Sequence, residues 1–135
     1  MSIPIFDVFN NAFNQLTSRI KTENNITSGN ASSNSASTAY VASQVVKAST
    51  GFLVGLTGYN SKNVGQFIQI HDSATLPADT AIPAAIVWVS PQSSFSLDLG
   101  TYGRNFVNGI VICNSSTGPT KTIGSADCWF DVQYK

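Results

Sequence analysis

His71, Asp72 and Ser73 stand consecutively, and His71 is the only histidine in the chain. A base, a carboxylate and a hydroxyl are the parts of nucleophilic catalysis, in which the carboxylate orients an imidazole that takes the nucleophile's proton. Consecutive residues on a strand point to opposite faces, so these three cannot orient one another while the strand continues. They read instead as hydrogen-bonded and loop-capping residues, and no catalytic residue is assigned. Cys113 and Cys128 are the two cysteines. With a single histidine, a four-ligand zinc site would also need a carboxylate, and the cysteine spacing fits no structural zinc pattern, so no metal ligand is assigned. Buried thiols are expected rather than a disulfide. Asp72, Asp79, Asp98, Asp127 and Asp131 are scattered, neither paired for acid–base work nor arranged as a calcium loop. Gly51-Phe52-Leu53-Val54-Gly55 lacks the lysine of a phosphate loop, and no cofactor is expected. Arg104 is expected to pair with a nearby carboxylate or carbonyl. Trp88, Trp129, Tyr59, Tyr102 and Phe95 could form a sugar-binding platform, but both tryptophans lie in apolar runs, so core packing is the expectation for them.

Composition narrows the class. With 135 residues and 42% hydrophobic ones, one globular domain plus an appendage is the natural count. Only 10% of residues are charged, against roughly 25% in ordinary soluble domains. Seven basic and seven acidic side chains cancel, leaving no basic stripe for a phosphate backbone, so nucleic acid is not an expected partner. No apolar window is long enough to span a bilayer, and no signal peptide is expected, so neither a membrane partner nor secretion is. The sequons at Asn25, Asn30 and Asn114 are then what an Asn/Ser-rich composition produces by chance. A neutral surface gives little repulsion between copies, which suits a subunit of an assembly.

Two kinds of element have to carry these residues. Phe6, Phe9, Phe13, Leu16 and Ile20 recur at three- and four-residue steps, Pro4 suits a first turn, and Arg19 and Lys21 suit a last one, so an amphipathic helix is expected from about Pro4 to Lys21. Residues 1–23 form this helix or arm. Residues 24–39, almost all Asn, Ser, Thr, Ala and Gly, form a linker that is flexible or follows an extended path. The stripe could pack on the chain's own core, or, as an apolar helix on such a tether, dock on another subunit.

Residues 40–135 are expected to be a β-sandwich domain. Strand-like runs occur at 40–47, 51–57, 64–71, 82–90 and 95–99, with Gly, Asn and Pro turns between them; the apolar run at 84–89 suits a central strand. The last segments, 105–113 and 126–134, read as a wide β-hairpin joined by a polar turn containing Gly118, Pro119 and Gly124. In the second, Cys128, Phe130, Val132 and Tyr134 share one face. About seven short strands without helical crossovers give an all-β antiparallel sandwich or jelly-roll-like domain, preceded by the N-terminal helix and extended arm.

The runs Gly58-Tyr59-Asn60-Ser61, Gln66-Phe67-Ile68-Gln69-Ile70-His71-Asp72 and Leu76-Pro77-Ala78-Asp79 belong to a longer likeness. It includes Gly103-Arg104-Asn105-Phe106, the residues 108–117 and 120–124, and Asp127-Cys128-Trp129-Phe130-Asp131. From about Ala48 to Tyr134 the chain resembles small β-sandwich virion proteins of tailed bacteriophages that decorate or cement capsids. The resemblance implies a non-enzymatic structural protein on the capsid exterior, made in the bacterial host cytoplasm. Its implied partners are the major capsid protein and further copies of itself, as a homotrimer or homodimer. It supplies no catalytic residues. The N-terminal arm is the least similar part, and its anchoring role, through Phe6, Phe9, Phe13, Leu16 and Ile20, is read from its own periodicity. A head fibre or tail component, or a carbohydrate-binding adhesion module of the virion, is the alternative.

Overall fold

Apolar side chains that alternate with polar ones, in runs of β-branched and aromatic residues, make strands with one dry face. The computed structural model describes residues 5–29 and 31–135, with side chains at 5–18 and 31–135. Pro4 and the side chains of Arg19, Ile20 and Lys21 lie outside the described residues. The chain contains a helix α1 (Ile5–Gly29) and strands β1 (Ser33–Ala36), β2 (Ser43–Lys47), β3 (Gly51–Asn60), β4 (Gln66–Asp72), β5 (Ala85–Val89), β6 (Ser93–Asp98), β7 (Arg104–Phe106), β8 (Ile110–Ser115) and β9 (Cys128–Tyr134). Two compact units result, residues 1–31 and 32–135.

The expected linker is where sequence and structure differ first. The helix continues past Lys21 to Gly29. Propagating a nucleated helix costs only tenths of a kcal/mol per weak residue, about 1 kcal/mol at glycine, so Asn and Thr do not stop it. Ser33–Ala36 then pairs antiparallel with β9, with Ser33 opposite Tyr134 and Ala36 opposite Asp131. A strand this polar is held by its backbone ladder and by side-chain amides: Gln133 Nε2 donates to Asn34 Oδ1 and Gln44 Nε2 to Ser35 Oγ, both at 2.6 Å. The unit boundary therefore falls at residues 31 and 32, and not at 39 and 40.

In the larger unit, one sheet has the order β1-β9-β3-β6, with β7 also on β3; the other has the order β2-β8-β4-β5. All pairs are antiparallel. Outward from the β4–β5 pair, β3 pairs with β6, β2 with β8 and β1 with β9. The chain is thus one long antiparallel ribbon rolled so that successive rungs alternate between two sheets, which is a jelly roll. β7 extends the β6 edge along β3. Gly103 permits the turn into it: its φ is +71° and a Cβ would stand 2.5 Å from the Leu53 carbonyl oxygen.

The expected terminal hairpin does not form. β8 lies between β2 and β4 in one sheet, while β9 lies between β1 and β3 in the other. Alternation reports which face of a strand is dry, not which strand lies beside it, and β8 and β9 face each other across the core instead of pairing. Leu53, Leu56, Phe95, Phe106, Phe130 and Val132 come from one sheet and meet Ile68, Ile70, Val89, Ile110 and Ile112 from the other. β5 is an edge strand, not a central one. Its apolar run splits by alternation, with Val89 buried while Ile86 and Trp88 are 45% and 57% exposed.

Candidate functional site

Steps of three and four residues bring Phe6, Phe9, Phe13 and Leu16 to one face of α1. Their exposures are 71%, 65%, 59% and 55%. The Phe9 and Phe13 rings stack with centroids 6.4 Å apart, and Thr17 Oγ1 donates to the Phe13 carbonyl at 2.9 Å. Ile5 and Val8, which the sequence reading left out, are exposed as well and widen the apolar surface. Ile20 lies on the helix, but its side chain is outside the described residues. Exposed apolar surface of this extent is characteristic of interaction sites.

His71, Asp72 and Ser73 do not converge. Strand β4 turns Ile68 and Ile70 into the core and His71 to the opposite face, beside Gln69. Gln69 Nε2 donates to the carbonyls of Thr117, Gly118 and Thr120 at 2.8, 2.9 and 3.2 Å, which ties the 116–124 loop over this face. That fixes Gln69 Oε1 as the acceptor for His71 Nε2, 3.2 Å away, so the neutral imidazole carries its proton there. Asp72 instead accepts from the backbone amides of Asn108, Val107 and Gly109 at 2.7, 3.2 and 3.4 Å. The Asn108 amide is the main reason its carboxyl stays below the ordinary range, with Val107, Gly109 and Arg104 adding to it against desolvation. Ser73 Oγ donates to the Thr75 carbonyl at 2.6 Å. Arg104 donates to the Ala84 carbonyl at 2.7 Å and lies over the Phe106 ring, 5.6 Å from its centroid.

Next to His71 lies an ion pair that the sequence did not announce. Lys121 Nζ is 2.5 Å from Asp79 Oδ1, with the lysine side chain 3% exposed and the aspartate 51%. The hydrogen bond from Lys121, and then the Ile123 amide, hold the Asp79 carboxyl below its usual range. Burial, and then the Lys121 charge, push the pKa of His71 below its usual 6.5. The unfolded chain therefore binds this proton more readily than the native one. The stability that a neutral His71 contributes is fully present above pH 6.5 and is lost as pH falls below that value toward the folded pKa. Urea midpoints should drop on acidification from about pH 7.5 to about pH 5, and His71→Gln should flatten that segment of the curve.

A second polar cluster joins the two sheets at one end. Gln66 Nε2 donates to Asn60 Oδ1 and to Asp127 Oδ1, both at 2.8 Å, and Asn114 Nδ2 donates to Asp127 Oδ1 at 2.9 Å and to the Ser125 carbonyl at 2.7 Å. Asn60, Gln66 and Asn114 are fully or almost fully buried. The one signal available in sequence was their position: amides placed where strand alternation calls for apolar residues. Buried amides that bond to one another specify register as well as adding stability, and here Asn114 Oδ1 is the buried atom of the cluster that accepts no hydrogen bond.

Cys113 and Cys128 are free thiols on different sheets. Cys128 belongs to the core, and Cys113 projects to the other side of β8 from Ile110 and Ile112. Desolvation raises both to about 11. Neither should react with a thiol-alkylating reagent near neutral pH in the native protein, and mass spectrometry should count both labels once the chain is unfolded.

Both tryptophans depart from the expected core position. Trp88 is 57% and Trp129 38% exposed. Each sits at an outward step of its strand: Trp88 meets the Phe67 ring edge-on at 4.9 Å, and Trp129 points away from its buried neighbours Cys128 and Phe130. Among the described residues, no group of His, Cys, Asp or Glu is arranged to hold a metal ion, and no helix is long and apolar enough to cross a membrane.

No known protein family matches the chain, and no curated protein matches it in sequence. Among solved structures it is similar to the coat protein of Tobacco streak virus, at 12% identity and a TM-score of 0.40, over 75% of this chain and 83% of that one.

Proposed function

We propose that this chain is a non-enzymatic structural protein of a phage particle, a cement or decoration protein that bridges and stabilises major capsid subunits. The observation that carries the reading is the exposed stripe Phe6, Phe9, Phe13 and Leu16 on a helix that forms its own compact unit. In this proposal the jelly roll sits on the outside of the shell as a homotrimer or homodimer, and the helix buries its stripe, continued by Ile20, against a neighbouring subunit. Each large apolar side chain contributes about 1.5–3 kcal/mol on burial before ordering costs. Repetition over many copies turns modest contacts into a resistant shell. The neutral composition supports the same reading, since copies crowded on a surface do not repel one another. The protein would be made in the bacterial host cytoplasm, with neither nucleic acid nor membrane as a partner.

Quantifying this polypeptide against the major capsid protein in purified particles tests the proposal. A cement protein should approach the copy number of the capsid protein. A few tens of copies, or presence at a single vertex, would assign the chain to a head fibre or tail instead.

A further inference from the structure

The outer face of the sheet that contains β9 carries a second surface, independent of the helix. β9 turns Trp129 and Asp131 outward, and β3 sets Tyr59 directly opposite Trp129 and Thr57 opposite Asp131. Beside Trp129 the chain between β1 and β2 forms the other wall of a cleft of about 240 Å³, bounded by residues 37–40 and Trp129. Tyr40 is 50% exposed there and Trp129 38%.

Both walls are fixed to one strand. The Phe130 amide donates to Ser37 Oγ at 2.9 Å, and the Ser37 amide to the Phe130 carbonyl at 2.8 Å. The Val41 amide donates to the Cys128 carbonyl at 2.6 Å. The wall carrying Tyr40 is therefore pinned on either side of that residue, and the cleft exists before any ligand arrives, which lowers the ordering cost of binding.

We infer that this cleft binds the terminal hexopyranose of a neutral glycan. Aromatic side chains offer flat apolar faces to the C–H face of a pyranose ring, and Trp and Tyr combine that face with a polar tip. The hydroxyl of Thr38, on the wall of the cleft, supplies a polar partner for a sugar hydroxyl. No lysine or arginine borders the cleft among the described residues, so nothing there would select an acidic sugar or a phosphate. At about 240 Å³ the space is smaller than the roughly 300–1,000 Å³ of drug-sized pockets, which fits a single ring and not a long oligosaccharide.

The test applies the full chain to an array of neutral glycans ending in hexoses and N-acetylhexosamines, followed by calorimetric titration with the methyl glycoside of the best terminal sugar. Tyr40→Ala and Trp129→Ala should each weaken binding by about tenfold or more, and Trp88→Ala, exposed on the other sheet, should leave it unchanged. Tyr40 lies outside the strands, so its variant tests the cleft even if Trp129→Ala destabilises the sheet. Absence of binding to every neutral glycan on the array, or wild-type affinity in Tyr40→Ala, overturns the inference.

Discussion

A chain that begins at Ser32 is expected to fold and to bind no particles. The sandwich keeps all nine strands in that truncation, whereas a cut at residue 39 would strip β1 from the β9 edge and confuse loss of anchoring with loss of structure. Its melting temperature should lie within a few degrees of the full chain's, because the core cluster belongs entirely to residues 46–132. Co-sedimentation with purified particles then reads the anchor alone. A finer version replaces the stacked pair, Phe9→Ser together with Phe13→Ser, and leaves the rest of the helix in place. At about 1.5–3 kcal/mol for each buried ring, the double change should weaken attachment by about a hundredfold or more. Undiminished attachment of the Ser32 chain would move the anchor onto the sandwich.

Phe130→Ala is expected to be the most damaging single change in the sandwich. Phe130 is fully buried, tilts against Phe95 with ring centroids 6.1 Å apart, and lies opposite Gly58 on β3. A side chain at Gly58 would meet the Phe95 ring at 2.3 Å, so the packing on this side is already tight and cannot collapse to fill a missing ring. Removing a buried phenylalanine costs about 3–5 kcal/mol, a large share of the roughly 5–15 kcal/mol that holds a typical domain folded. Urea denaturation should show a much lower midpoint with little change in slope. Trp88→Ala, although it deletes a larger side chain, should cost no more than about 1 kcal/mol, since Trp88 is more than half exposed. Equal losses for the two variants would contradict the placement of the core.

The class of the fold was legible in the sequence because alternation is a local property. Phe95 and Leu97 against Ser94 and Ser96, or Cys128, Phe130 and Val132 against Asp131 and Gln133, declare strands with one dry face from a handful of neighbouring residues. The apolar stripe of α1 was legible for the same reason, since its period lies within one element. Partnership between strands was not. β8 and β9 are consecutive in the chain yet lie in different sheets, and β1, the edge that covers β9, comes from a polar stretch whose side chains give no sign of a strand. Local composition could not tell the exposed Trp88 from a core residue, because an apolar run has the same composition on an edge strand as in the middle of a sheet, whereas Trp129 stands at the step of β9 that alternation sets opposite Cys128 and Phe130. Nor could it bring Lys121 to Asp79 or Gln66 to Asp127, pairs separated by 42 and 61 residues. The sequence by itself determined which residues shun water and at what period. The rolled ribbon decided which of them meet, because hydrogen-bonded ladders, buried amides and ion pairs join residues by proximity in space and not by order along the chain.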